Sequence, residues 1–405
     1  GIIVPDGGTI GSASDTDAIS VASDGKVTLS QPVGGTLTLS ADFVPATPLS
    51  HRNMIINGGM NVSQRYGTSS ASLSGSNIGD YTVDRFALII GSSYNLDTTT
   101  TQVSGDPNET GQSKALKIEC DTVQNPSATH NGGVFTKLEG QDLQRLLYGT
   151  ASAKNSVLTF WAKAGGSGAG QYTCQIKYLK SGPTYYVQYH TFTLTTSWQK
   201  FTINLNANGT ATSQPIIDDN TAGMEIYWWL VAGSSDLVSA SSTWTAGDST
   251  YKAVTGQTNF MADTSNEFYL TGVQLELGTV ATPFEHKSYG EELARCQRYF
   301  EQLLSQISNQ DFLCSGFNYN ASQPQGVVRF EVEKRASPTM GSNTYGIAYQ
   351  ATGENGRTNV TPSFYIPSPK SVMIYASTSG LTAGQGVNLC NRDDGAGQVF
   401  ANAEL

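Results

Sequence analysis

Apolar and polar residues alternate with a period of two along much of this chain, and the alternating runs lie between clusters of Gly, Ser, Asn and Pro. Such runs send successive side chains to opposite faces of half-buried strands. Eight of them, at 115–120, 133–138, 157–164, 172–179, 185–194, 199–205, 224–231 and 267–276, are rich in Val, Ile, Thr, Tyr, Phe and Trp. They predict an all-β fold with one jelly-roll β-sandwich over residues 51–286. One interior stretch departs from the pattern: at 141–148, Leu143, Leu146 and Leu147 line one face of a short helical turn.

Ahead of the sandwich, residues 1–50 hold a near-repeat in which GKVTLS at 25–30 returns as GTLTLS at 35–40. Two such strands cannot bury a core alone. Val27, Leu29, Leu37 and Leu39 are therefore oligomer-interface candidates in an N-terminal β segment that assembles with the same segment of neighbouring chains, and the other reading is a hairpin lying on the main domain. Pro45 and Pro48 mark a linker or a rigid turn.

Behind the sandwich, Ser288 and Glu291 have the spacing of a capping box that opens a helix. Leu293, Cys296, Phe300, Leu303 and Ile307 follow at helical spacing, which predicts a helical connector over 287–310 with one apolar stripe. Leu293, Phe300 and Leu303 are interface candidates, unless the stripe packs on the adjacent sheet. Glu291 and Arg295 would form an i,i+4 pair. Further strand patterns at 326–332, 345–349, 364–366, 371–375 and 386–390 predict a smaller C-terminal β-domain over 311–405.

Composition narrows the function. The 405 residues carry 23 Lys and Arg against 33 Asp and Glu, a net charge of −10, so the clustered cations that nucleic-acid binding needs are missing. Only 14% of residues are charged while Gly numbers 43, a composition suited to turn-rich virion or secreted β-proteins. The longest apolar run, 226–232, is too short to cross a membrane, so membrane insertion is not expected. Five widely spaced cysteines without a CxxC pair read as buried free thiols. The Gly1 start suggests a processed or truncated product.

Catalytic patterns are scarce. His51, His130, His190 and His286 form no metal-binding array, and the glycine run 165–170 reads as a hairpin tip, not a phosphate loop. Asp218-Asp219-Asn220 offers oxygen ligands suited to calcium, though a solvated acidic loop is the plainer reading. No cofactor is expected.

The phrase GVQLELGTVATPFEHKSYGEELARCQRYFEQ at 272–302 resembles a signature of tailed-bacteriophage tail-fibre and appendage proteins. RNMIINGGMNVSQRYG at 52–67, YTVDRFAL at 81–88 and VVRFEVEKRASPTMG at 327–341 carry the same resemblance in the same order. Separately, SVLTFWAKA, YTCQIKYL and FTLTTSWQKFTINL resemble the middle strands of jelly-roll carbohydrate-binding modules, with Trp161 and Trp198 carrying the likeness. A Trp in an alternating strand is ordinarily a core residue. Those modules often hold calcium through a last-strand Asp, which EFYLTGVQLE lacks. The resemblance to phage appendages implies a homotrimeric virion protein, assembled in the host cytoplasm, whose partners are other tail or capsid proteins and a host surface polysaccharide. It implies no catalytic site.

Aromatic rings supply the remaining chemistry, because flat faces accept the C–H side of a sugar while amides bind its hydroxyls. The glycan-binding candidates are Tyr185, Tyr186, Tyr189, Trp228, Trp229 and Trp244, with alternation sending Trp228 and Trp229 to opposite faces. The alternative is that these rings fill subunit contacts. The sequence thus points to non-catalytic recognition of a bacterial surface glycan during host adsorption. A structural head fibre or fibre adaptor is the second reading, and a polysaccharide depolymerase the third.

Overall fold

The computed structural model describes residues 8–12, 15–23, 27–29, 50–73, 79–91, 96–180, 185–207, 215–247, 252–304, 312–343, 346–351, 358–391 and 397–405. The chain divides into two units, Gly1–Leu49 and Ser50–Leu405.

In the first unit the strands Thr9–Ser12, Asp15–Val21 and Val27–Leu29 form an antiparallel sheet in that order. The first copy of the near-repeat pairs with a preceding strand, Ile19 opposite Leu29 and Val21 opposite Val27; the second copy lies outside the described residues. Val27 is exposed. Leu37 and Leu39 lie outside the described residues, as does the side chain of Leu29.

The second unit begins with the expected jelly-roll sandwich. One sheet has the order Gln199–Leu205, Ser156–Gly165, Glu267–Leu277, Lys114–Cys120, Thr98–Ser104, Ala71–Leu73. The other runs Ser241–Ala246, Tyr185–Leu194, Gly170–Leu179, Ala222–Ala232, Asn131–Glu139, Phe86–Ile90, Asp80–Val83. All pairings within these sheets are antiparallel. Every one of the eight alternating runs is a strand. Between the sheets, Phe160 sits edge-on to Trp228 at 5.6 Å and to Phe192 at 5.3 Å, offset geometries that aromatic rings favour. The glycine run is the tip between Ser156–Gly165 and Gly170–Leu179, where Gly166 has φ +57° and no room for a Cβ, which would lie 1.9 Å from the Ser265 carbonyl oxygen. The turn at 141–148 is a 3₁₀ helix, Gly140–Leu146, that buries Leu143 and Leu146 and leaves Leu147 exposed at its left-handed cap.

The connector differs from expectation. Ser288 does cap a helix, its Oγ accepting the Glu291 N–H at 3.2 Å, but the helix covers only Tyr289–Gln297. Phe300–Leu304 is a strand, so Phe300 and Leu303 do not continue a stripe from Leu293, which is half-buried; Ile307 lies outside the described residues. Tertiary partners override helical propensity here. Arg298 is held bidentately by Glu139 at 2.7 and 2.8 Å, and Phe300–Leu304 pairs with Val399–Asn402. Arg295 meets Glu292 at 3.8 Å, not Glu291.

Val399–Asn402 is the middle strand of a small sheet, between Phe300–Leu304 and Thr339–Ser342. A seven-stranded antiparallel sheet completes the chain, in the order Thr358–Val360, Ile347–Ala351, Gly386–Cys390, Phe312–Asn320, Gln323–Arg329, Ser371–Ala376, Pro362–Tyr365. Val328, Ile347, Ile374 and Leu389 belong to its own core, to which Leu304 and Val399 also contribute.

Candidate functional site

Three of the six candidate rings are out of reach of a ligand. Trp228 is fully buried between the sheets, against Phe86 and Phe160. Trp229 does face the other way, but it too is buried, stacked on Tyr227 at 5.1 Å with its indole N–H on Gln175 Oε1 at 3.0 Å. The outer face of that sheet is covered. A parallel pair, Leu237–Val238 with Ala253–Val254, returns over it, and Val254 packs with the buried Tyr189. Tyr185, Tyr186 and Trp244 remain half-buried. Tyr186 stacks on Tyr178 at 5.1 Å, and Trp244 stands edge-on to Tyr178 while its N–H bonds the Asn206 carbonyl at 2.7 Å. Tyr185 lies under the Lys177 ammonium, 5.0 Å away; burial holds that ammonium down at about 8. Of the two module-like Trp residues, Trp198 is buried against Tyr269 and Trp161 is half-buried.

A different place gathers rings and amides around an open cleft. Where the sandwich meets the small C-terminal sheet, a cleft of about 480 Å³ is walled by Arg65, Tyr66, Tyr81, Phe300 and Phe400, with Gln302, Gln398 and Asn402 between them. The Arg65 guanidinium lies 3.6 Å from the Phe300 ring centroid and 4.7 Å from that of Tyr81, making a flat cationic platform beside Phe400. Phe300 is buried beneath that guanidinium, which takes it away from the subunit contact expected of it. Arg65 is also paired with Glu404 at 3.4 Å and with Asp84 at 3.9 Å. No Asp or Glu lines the cleft among the described residues.

Beneath the cleft, the four quoted phrases converge on one buried polar node. Asn57 donates from its side chain to the Val62 and Asp84 carbonyls at 2.8 Å each, and its backbone N–H reaches Glu292 at 2.6 Å. Asn53 ties the first phrase to Val273 and Leu275 of the last sandwich strand. Arg85, fully buried, pairs with Glu404. Burial pulls its guanidinium down, but Glu404, with Tyr299 and Tyr81 adding to it, holds it above its ordinary value. Lys334 donates to Glu301 and to the Gln297 and Val332 carbonyls; burial nonetheless lowers its ammonium. Arg335 bonds the carbonyls of Ala403 and Glu404, 2.6 Å each. Asp84 is pushed up by burial against the opposing pull of Arg65. This node holds three parts of the chain together; its hydrogen bonds and charges are directed inward.

No calcium cage forms at the acidic loop: Asp219 accepts from the Thr221 N–H at 2.8 Å, and Asn220 donates to the Arg335 carbonyl. Among the described residues no three His, Cys, Asp or Glu side chains converge on a metal-holding arrangement. The five cysteines are free, and four of them are buried. No helix is long and apolar enough to cross a membrane among the described residues. Sequence reading missed Arg65, Tyr66 and Phe400 as site residues, although the first two stand inside the phrase 52–67.

No family model matches the chain, and no curated protein does. Among solved structures it is similar to a sugar-binding protein (so described with reservation in its own name) from Bacteroides thetaiotaomicron, at 12% identity and a TM-score of 0.31 over 56% of this chain and 100% of that one. The family 11 carbohydrate-binding module of a cellulosomal cellulase of Clostridium thermocellum is similar at 13% identity and a TM-score of 0.26, covering 54% and 100%. The enzymatically active domain of bacteriophage CBA120 tailspike protein 4 is similar at 12% identity and a TM-score of 0.29, covering 56% of this chain and 21% of that one.

Proposed function

We propose that this protein is a non-catalytic, glycan-recognising tail-fibre or appendage protein of a tailed bacteriophage, working as a homotrimer on the virion. The cleft between sandwich and small sheet carries the reading. Tyr66 and Phe400 offer ring faces, Arg65 a stacked planar cation, and the Gln398 amide, with the amide oxygen of Gln302 and the amide nitrogen of Asn402, offers acceptors and donors for hydroxyls. Arg65 is ion-paired with Asp84 and with Glu404, a carboxylate it shares with Arg85, which holds its guanidinium in place at the cleft wall. Glycoside hydrolysis needs two carboxylates flanking the bond, and the described lining supplies none.

Tyr66→Ala and Gln398→Ala test the reading. Both should abolish binding to host polysaccharide while leaving the circular dichroism spectrum and melting temperature unchanged. Normal binding by both variants, or release of reducing ends from the polysaccharide by the wild type, would reject it. The second reading, a structural appendage without its own receptor, is favoured by one observation: the four phrases meet in a node whose polar groups point inward. A wild-type protein that binds no host glycan yet is required for virion assembly would select it.

A further inference from the structure

The seven-stranded C-terminal sheet buries one face and leaves the other open. Val328, Val372 and Ile374 point inward. Alternation therefore sends Val327, Met373 and Tyr365 outward, and register sets them side by side, Tyr365 opposite Met373 and Met373 opposite Val327. In the next outward row Tyr375 stands opposite Gln325 and Gln325 opposite Phe317. A solvated sheet face ordinarily carries polar side chains at these positions. Here Val327 is 57% exposed, Phe317 47%, Tyr365 53% and Tyr319 63%.

We infer that this face is where a second copy of the chain docks, sheet against sheet. Two features favour a copy over another occupant. The four strands Phe312–Asn320, Gln323–Arg329, Pro362–Tyr365 and Ser371–Ala376 contain one charged residue, Arg329, and no carboxylate. Copies of a chain of net charge −10 repel one another, and a face without carboxylates is where two of them approach at least cost. The middle of the outward row is aliphatic, Val327 beside Met373, so the face is not made of rings and amides alone. Contiguous apolar surface of this kind is characteristic of protein contacts. The inference rests on the homotrimer part of the proposed function, to which it adds the contact surface, and stands even if the cleft binds nothing; a single-chain wild type would overturn both, whereas an assembled wild type with unchanged assembly of Tyr365→Lys would overturn this inference alone.

Light scattering and sedimentation on the full chain test it. The wild type should show a multiple of the single-chain mass at micromolar concentration. Val327→Lys and Tyr365→Lys should each weaken association about a hundredfold, because an ammonium would be buried without a partner. Both should keep the strand circular dichroism spectrum, and Val280→Lys, at a 75% exposed site elsewhere, should assemble as the wild type does. Should Val327→Lys fail to fold, Tyr365→Lys at the sheet edge decides. A single-chain wild type at tens of micromolar, or unchanged assembly of Tyr365→Lys, would overturn the inference. So would a single-chain wild type whose polysaccharide binding is lost on Tyr365→Lys, since the face would then be a sugar platform.

Discussion

The guanidinium of Arg85 lies 3.5 Å from the ring centroid of Tyr299, with both side chains buried and the Glu404 carboxylate paired to the cation. A stacked, ion-paired arginine with a left-handed backbone, φ +70°, ties a sandwich turn to the second residue after the helix and to the last strand's tail.

Arg85→Ala should therefore be severely destabilising. It strips Glu404 of its closest partner and removes a donor from the Lys137 carbonyl, and breaking a buried pair in this way costs about 3–5 kcal/mol. Urea denaturation measures it. Arg85→Lys should recover little, because an ammonium cannot stack and fork at once.

Trp229→Ala should lose about 3–5 kcal/mol of stability by leaving a cavity, in contrast to Tyr66→Ala, which should stay within about 0.5 kcal/mol. Denaturant midpoints of the two variants measured side by side check this. Equal effects would mean the outer face of the sandwich is open at Trp229.

The contrast shows what sequence could and could not reveal. Alternation exposed the eight sandwich strands and the opposed directions of Trp228 and Trp229. It did not reveal the cover over Trp229, because that cover is two residues of strand, Ala253–Val254, embedded in a Ser- and Thr-rich stretch. The helix failed for a related reason. Leu293, Cys296, Phe300 and Leu303 keep helical spacing, but Arg298 is claimed by Glu139 and Phe300 by Asn402, partners far along the chain. Arg65 and Phe400, which wall one cleft, are more distant still.

Acid should weaken the protein through His190. Burial lowers its imidazole from 6.5 to about 4, so between those values the unfolded chain binds the proton more readily than the folded one. The stability is fully present above pH 6.5 and is lost as pH falls toward 4, by about 3 kcal/mol at most. Glu285, lowered to about 2 despite burial by the Asn53 N–H and Lys287, adds a loss below pH 4.5. Asp84, raised by burial, acts in the opposite sense, so the informative measurement is a difference between proteins. His190→Gln should lose less stability than the wild type between pH 6.5 and 4 in urea titrations at stepped pH.

Gly166→Ala should cost about 1–3 kcal/mol. The φ of +57° disfavours any side chain, and the new methyl would meet the Ser265 carbonyl. Gly67→Ala, also at positive φ but with open space around it, should cost less. Thermal melts of the two variants separate steric from conformational strain.

The placement of Val399–Asn402 in the middle of its sheet fixes an order of events during synthesis. Phe300–Leu304 and Thr339–Ser342 have no edge to pair with until residues 399–402 have left the ribosome, and Arg85 must wait for Glu404. The sandwich is free earlier, once Glu267–Leu277 can slide between Ser156–Gly165 and Lys114–Cys120. A nascent chain stalled between these two points would carry a finished sandwich with Arg85 still unpaired and the surface that later packs on the C-terminal strands uncovered, a state exposed to aggregation and to proteases for as long as translation takes to add the intervening residues.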